Sequence, residues 1–209
     1  MIAHGCHRLI AKPAILTILW IIAGLLTQQF IFYIGAALFA ALTLFFVIFF
    51  RDPERKIPAN VRNIVSPADG IVIKTDVVGK FSRVAVFMGP KNVHVNRAPL
   101  EGKVIGIKKF SGPKQPAYKD YSEKNERLMI KLSTKIGIIN LVQITGIFAR
   151  RIESYLAVGQ IIRKGDRIGI IKFGSRCDVY FPKDKVRITV KTGEKVSAGS
   201  SVIGFTEKR

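Results

Sequence analysis

Hydrophobic and polar positions divide the chain near residue 50. Between Lys12 and Arg51 no charged residue occurs, a run of 38 positions rich in Leu, Ile, Phe and Ala. A single helix of that length would measure about 57 Å at roughly 1.5 Å per residue, nearly twice a hydrocarbon core of about 30 Å. The run therefore predicts a hairpin of two helices. Its most polar triplet, Thr27-Gln28-Gln29, is where the turn belongs, leaving apolar segments at about 9–26 and 30–50. The second is long enough to cross a bilayer, and the first only marginally so. A cleaved signal peptide would need a shorter apolar stretch and a small-residue cleavage site, and Phe45-Phe46-Val47-Ile48-Phe49-Phe50 offers neither.

After residue 56 the pattern shortens. Val, Ile and Gly recur in brief runs between turn residues, as in Gly70-Ile71-Val72-Ile73, Arg83-Val84-Ala85-Val86-Phe87, Lys103-Val104-Ile105-Gly106-Ile107 and Val186-Arg187-Ile188-Thr189-Val190. Such runs predict strands, and their close spacing predicts a sandwich or barrel. Leu128–Leu132 alone hints at something else. The organisation expected is an N-terminal membrane anchor over 1–56 and a β-rich domain over 57–209.

Two internal repeats refine the fold. Pro67-Ala68-Asp69-Gly70-Ile71-Val72 and Pro99-Leu100-Glu101-Gly102-Lys103-Val104 share Pro-x-x-Gly-x-Val, while Gly159, Gly165 and Ile168-Gly169 are echoed by Gly193, Gly199 and Ile203-Gly204. This turn pattern resembles the barrel-sandwich hybrid domains of lipoyl and biotinyl carriers, in which a Gly-Asp-x-Ile strand leads to a hairpin carrying the modified lysine. Here Gly165-Asp166-Arg167-Ile168 leads, after the same interval, to Gly174-Ser175. The resemblance implies a mainly β, barrel-sandwich-hybrid-like domain behind the helical hairpin, with a serine at the tip in place of the carrier lysine. Asp184-Lys185 falls ten residues too late for that lysine.

Charge narrows the partner. Lys and Arg total 34 against 14 Asp and Glu, a net +20, and all the acidic residues lie beyond residue 50. Such a balance favours a polyanion. No helix-turn-helix, zinc-finger or aromatic RNA-binding pattern is present, so nucleic acid is not expected. For a domain behind a membrane hairpin the natural polyanion is anionic lipid, worth about 1 kcal/mol per basic residue near the surface. Arg8 and Lys12 flank the entry to the apolar run and Arg51, Arg55 and Lys56 the exit, which by the positive-inside tendency puts both ends and the β domain in the cytoplasm. Cys6 and Cys177 have no disulfide or zinc spacing, and no metal site is expected. Cys177 reads as a small buried strand residue.

Five segments carry a family resemblance. Phe50-Arg51-Asp52-Pro53-Glu54-Arg55, Ser66-Pro67-Ala68-Asp69-Gly70, Asn92-Val93-His94-Val95-Asn96-Arg97-Ala98-Pro99, Gly146-Ile147-Phe148-Ala149-Arg150-Arg151 and Phe173-Gly174-Ser175-Arg176-Cys177-Asp178-Val179-Tyr180 resemble, in this order, the motifs of phosphatidylserine decarboxylases of the short, membrane-anchored form. Taken singly, Asp69 is an ordinary turn residue, His94 a structural strand histidine and Ser175 a turn serine. It is their joint occurrence that is specific. Longer-form members carry a second histidine three residues before the one matching His94, where this chain has Lys91.

The resemblance implies a self-processing lyase with a covalent pyruvoyl group derived from Ser175. Ser175 would be the nucleophile, His94 its general base, and Asp69 the acid that holds the histidine ring. Attack on the Gly174 carbonyl would cut the chain between Gly174 and Ser175, giving a β chain 1–174 and an α chain 175–209 that stay together as a heterodimer. The pyruvoyl ketone would form a Schiff base with the serine headgroup of phosphatidylserine and release carbon dioxide, leaving phosphatidylethanolamine. Arg150 and Arg151 are candidates for gripping the lipid phosphate. The same core serves archaeal lipids with a serine headgroup, and a homo-oligomer is compatible with the sequence. The competing class is a membrane-anchored barrel-sandwich adaptor without chemistry, which leaves Asp69, His94 and Gly174-Ser175 unexplained.

Overall fold

The computed structural model describes residues 1–147, 151–172 and 175–207. The chain divides into two units, Met1–Glu54 and Arg55–Arg209.

In the first unit the apolar run folds as α1 (His7–Thr27) and α2 (Phe30–Phe49), of 21 and 20 residues. Each is about 30 Å long at roughly 1.5 Å per residue. The first segment is therefore as long as the second, because its helix starts two residues before the apolar stretch at the expense of two polar positions. The turn falls on the polar triplet: Gln28 takes a left-handed conformation (φ 59°) and its N–H closes α1 on the Gly24 carbonyl. Trp20 packs against Phe32 and Phe39 at centroid distances of 5.5 and 6.0 Å. Gly35 makes that packing possible, since a Cβ there would lie 2.1 Å from the Trp20 ring. The hairpin ends are joined by Ala3 N–H donating to the Phe50 carbonyl and Asp52 N–H to that of Met1, both at 2.8 Å.

The second unit is built of strands, as the short β-branched runs predict. They are β1 (Asn63–Val65), β2 (Gly70–Val78), β3 (Phe81–Met88), β4 (Val95–Arg97), β5 (Gly102–Phe110), β6 (Arg127–Thr134), β7 (Gly137–Thr145), β8 (Arg151–Ser154), β9 (Ile161–Ile162), β10 (Arg167–Lys172), β11 (Ser175–Pro182), β12 (Val186–Ile188), β13 (Lys195–Val196) and β14 (Val202–Thr206). An eight-stranded sheet in the order β13-β2-β3-β11-β7-β6-β5-β9 curls into a half barrel, accompanied by the three-stranded sheets β4-β10-β8 and β1-β14-β12. Register shifts in β2 between Val72 and Lys74, and in β5 between Val104 and Gly106, mark bulges that bend these strands. Leu128–Leu132, which reads ambiguously in sequence, is the middle of β6. Leu128, Ile130 and Leu132 are buried there at a period of two, with Lys131 exposed, because the long apolar side chains alternate across the sheet.

The core joins Val72, Val84, Val86, Ile130, Leu132, Ile139, Leu141, Val179 and Phe181. The glycine repeat is a repeat in three dimensions as well: Gly159 and Gly193 both turn at φ 94°, and Gly165 and Gly199 at 86° and 74°. At the head of β2, Gly70 is required for another reason. Its φ is 151°, and a Cβ there would sit 1.9 Å from the Phe87 carbonyl oxygen, so backbone occupies the space of a side chain.

Candidate active site

Several strands of the large sheet end together. Ser175, the first residue of β11, lies opposite Met88 at the end of β3 and Thr145 at the end of β7. β2 begins beside them, with Ile71 opposite Phe87. Alternation along β11 turns Ser175, Cys177, Val179 and Phe181 to the core, and Arg176, Asp178 and Tyr180 to the other face. Ser175 is thereby fully buried, although a hydroxyl has no reason to enter an apolar core unless it is bonded or used.

It does not enter alone. The Ser175 hydroxyl lies 3.8 Å from Met88 Sδ, Asn96 Nδ2 lies 3.3 Å from the same sulfur, and Gln143 Nε2 donates to Asn96 Oδ1 at 2.8 Å. Thr145, Asn96 and Gln143 are buried with it. Gln143 Oε1 is buried with no hydrogen-bond donor among the described residues. Buried polar side chains thus lie near position 175 and are linked to it through Met88 Sδ.

His94 immediately precedes β4, whose Val95 pairs with Ile170 of β10, and the Ile171 N–H approaches the His94 carbonyl at 3.4 Å. The β-ladder therefore brings His94 alongside the chain that leads into Ser175. The ring is fully buried and its Nδ1 lies 2.9 Å from the Asn92 carbonyl oxygen. A carbonyl only accepts, so Nδ1 carries the proton and Nε2 is the basic nitrogen. Asp69 follows the Ser66-Pro67 turn, which is tied to β4 by Arg97 N–H donating to the Pro67 carbonyl at 2.9 Å. Its carboxylate is held by Arg55 Nη2, at 3.0 and 2.8 Å, and by the Ala198 N–H at 2.7 Å. The His94 ring thus meets the Asn92 carbonyl, and Asp69 sits in an ion pair with Arg55.

Gly174 and Arg150 lie outside the described residues. Arg151 opens β8 opposite Lys172 with its side chain exposed. Cys177 is completely buried in β11, and burial pushes its thiol far up, which suits a packing role and not that of a nucleophile.

Sequence reasoning missed the residues that surround these groups. Arg55 and Asn96 lie inside recognised motifs without a role having been given to them. Gln143 and Thr145 lie outside every motif. On the other face of β11, Arg176 and Asp178 form a side-on pair, Nε to Oδ1 and Nη2 to Oδ2 both at 2.6 Å, with neither side chain exposed. Their spacing of two within a predicted strand was the available signal.

Comparison with known proteins matches residues 42–204 to the phosphatidylserine decarboxylase family model. A Methanosarcina mazei protein bearing the name archaetidylserine decarboxylase proenzyme is 43% identical over 97% of this chain and 96% of its own. The phosphatidylserine decarboxylase proenzyme of Pelobacter propionicus is 41% identical over the same shares. That of Streptomyces avermitilis is 47% identical over 72% of this chain and 69% of its own.

Proposed function

The chain belongs to the phosphatidylserine decarboxylase family, and on that premise we propose that it is a membrane-anchored proenzyme which cuts itself at Gly174-Ser175 and then decarboxylates a lipid with a serine headgroup. The observation that supports this most directly is the burial of Ser175 among Asn96, Gln143 and Thr145, a polar enclosure that a purely structural strand end does not need.

In the cut, the basic Nε2 of His94 takes the Ser175 hydroxyl proton, and Oγ adds to the Gly174 carbonyl carbon. The peptide C–N bond breaks as the C–O bond forms, giving an ester, and the proton held by His94 passes to the departing nitrogen, which leaves as an amine. Removal of the α-proton of residue 175 then expels the Gly174 carboxylate. The dehydroalanine left behind tautomerises to an imine, and water converts this to a ketone with loss of ammonia. The products are a β chain 1–174 and an α chain 175–209 headed by a pyruvoyl group.

The residues present fit such a group: the neutral polar side chains of Asn96, Gln143 and Thr145 are buried near position 175, and Asn96 reaches it through Met88 Sδ. When in place, the ketone supplies an electron sink for the pair released as carbon dioxide departs. The chain's own residues bind and orient. His94 is suited to return the proton to the headgroup carbon, Arg55 holds the Asp69 carboxylate in place, and Arg151 is available to a lipid phosphate. The two apolar helices and the basic β unit suit a substrate that never leaves the bilayer, with the β unit on the cytoplasmic side.

Intact mass spectrometry of the purified full chain beside Ser175→Ala tests the reading. Two chains split after Gly174, a blocked α-chain terminus, an uncut mutant and at least a thousandfold loss of carbon dioxide release are expected, as for removal of a nucleophile. A single uncut chain in both folded samples would refute it and favour the adaptor.

A further inference from the structure

The other face of β11 carries a group of charges that self-cleavage does not use. Arg176 directly follows the nucleophile. Besides its pair with Asp178, its Nη1 lies 3.3 Å from Ser122 Oγ and its Nη2 3.5 Å from Glu123 Oε1. Ser122 and Glu123 belong to a short 3-10 helix, Asp120–Lys124, on the connection between β5 and β6. Glu123 also accepts from Arg83 Nη1 at 2.6 Å, and Arg83 in turn bonds Asp76 through Nε at 2.7 Å.

The same connection holds the strand beside Ser175. Asn125 Nδ2 donates to the Thr145 carbonyl at 2.7 Å, and the Thr145 N–H and hydroxyl both reach the Glu126 carbonyl at 3.0 Å. Position 175 is therefore gripped on two sides, through its own successor and through its cross-strand neighbour.

Such a pair calls for an explanation beyond stability. Two fully buried charges contribute little to folding compared with an apolar pair of similar volume, because desolvation offsets their attraction. What they do provide is a fixed geometry, since a side-on guanidinium and carboxylate admit one arrangement. That matters once the chain is cut. An interior strand residue then becomes a chain end, and chain ends fray.

We propose that Arg176, locked by Asp178 and by Ser122–Glu123, is a positioning residue that keeps position 175 in register after cleavage, when decarboxylation needs the new terminus held still. This rests on the self-cleavage reading. Arg176 touches no reacting atom and acts through the strand.

The test uses the full-length protein in nanodiscs and three variants: Arg176→Met with Asp178→Leu, which removes both charges together, Arg176→Lys, and Ser122→Ala. The double variant should fold and cut itself. Its kcat for phosphatidylserine should fall about 10–100-fold with KM nearly unchanged, as expected for misplacement near the chemistry. Its ketone should also react faster with phenylhydrazine as the terminus loosens. Arg176→Lys should restore only part of the rate, because an ammonium cannot make the side-on pair. Ser122→Ala, which removes the bond from Arg176 together with the hydroxyl's bonds to the Ala117 and Lys119 carbonyls, should lose about 2–5-fold.

Wild-type kcat and phenylhydrazine reactivity in a folded, cleaved double variant would overturn the proposal. So would a folded double variant that no longer cuts itself, since the charges would then act before cleavage. If the double variant does not fold, Ser122→Ala decides alone, and wild-type behaviour there overturns the proposal. An uncut wild type would instead refute self-cleavage itself, and the wild type alone tells that result apart.

Discussion

In Met1–Glu54 the large apolar side chains point outward: Leu25, Leu26, Phe30, Ile34 and Leu38 are all more than half exposed. In Arg55–Arg209 the same residue types point inward, and Ile130, Leu132, Ile139, Leu141 and Phe181 have no exposed surface at all. Each unit follows one rule, that apolar surface leaves water. The β unit satisfies it internally by closing sheets over a core. The hairpin, two helices thick, has too little interior to do so and leaves a patch far larger than soluble monomers tolerate. On the membrane-anchored reading proposed above, a bilayer removes that patch. The contrast teaches that exposure means opposite things in the two halves of one chain, and that a substitution has to be judged against the solvent its own unit is built for.

The largest effect that sharpens this contrast is expected in the β core. Ile130→Ala should cost about 2–5 kcal/mol, seen as a lower denaturation midpoint of the β unit, because the cavity it leaves cannot close. Leu26→Ala, at 80% exposure, should leave that transition where it is. Equal destabilisation by the two would break the contrast.

The next effect reverses the roles. Leu38→Lys in α2 should cost about 2.5–3.5 kcal/mol of membrane insertion, read as protein shifted from the membrane to the soluble fraction. Val77→Lys in β2, where the residue is 63% exposed compared with 68% for Leu38, should change β-unit stability by less than about 0.5 kcal/mol. If both lysines prove harmless, α2 does not sit in a bilayer.

A smaller effect belongs to the charged face of the β unit alone. The hydrogen bond from Arg83 holds the Asp76 carboxyl below the ordinary carboxylate range. The folded state therefore gives up this proton more readily than the unfolded chain does. The resulting stabilisation is complete above about pH 4 and fades as pH falls through the depressed folded value. Asp76 is partly exposed, so solvent screening limits the gain to about 1 kcal/mol or less. Thermal melts of wild type and Asp76→Asn should converge as pH falls below about 4. A constant gap between them would show that the Arg83 pair is not what titrates.

The hairpin was legible because its signals are local. Thr27-Gln28-Gln29 marks the turn, and α1 and α2 end and begin at Thr27 and Phe30, where the polar triplet interrupts the apolar run. The β class of the second unit and the runs that became β2, β3, β5 and β12 were legible for the same reason, while Leu128–Leu132 was not, since a period of two over so few residues is easily misread. Ser175, His94 and Asp69 are candidates through motifs, and the His94 carbonyl lies beside Ile171 of β10, the strand that precedes Ser175 in the chain. The partners of these residues were not found. Arg55 meets Asp69 across 14 residues and Ala198 meets it across 129, and Gln143 reaches Asn96 across 47. Nothing in a local pattern encodes such pairings.

By itself the amino-acid sequence determined which stretches would be helix or strand, which face of each would be apolar, and which few side chains could carry chemistry. These depend on period, turn residues and side-chain type, all of which act over a few positions. Only the tertiary structure decided what those side chains touch: that the His94 ring meets the Asn92 carbonyl, that Asp69 pairs with Arg55, and that Arg176 and Asp178 are buried together beneath a short helix from another part of the chain. The physical reason is that the register of the sheet is a collective property. Pairing one strand with the next places every later side chain, so a contact between distant residues exists only once the sheet has closed.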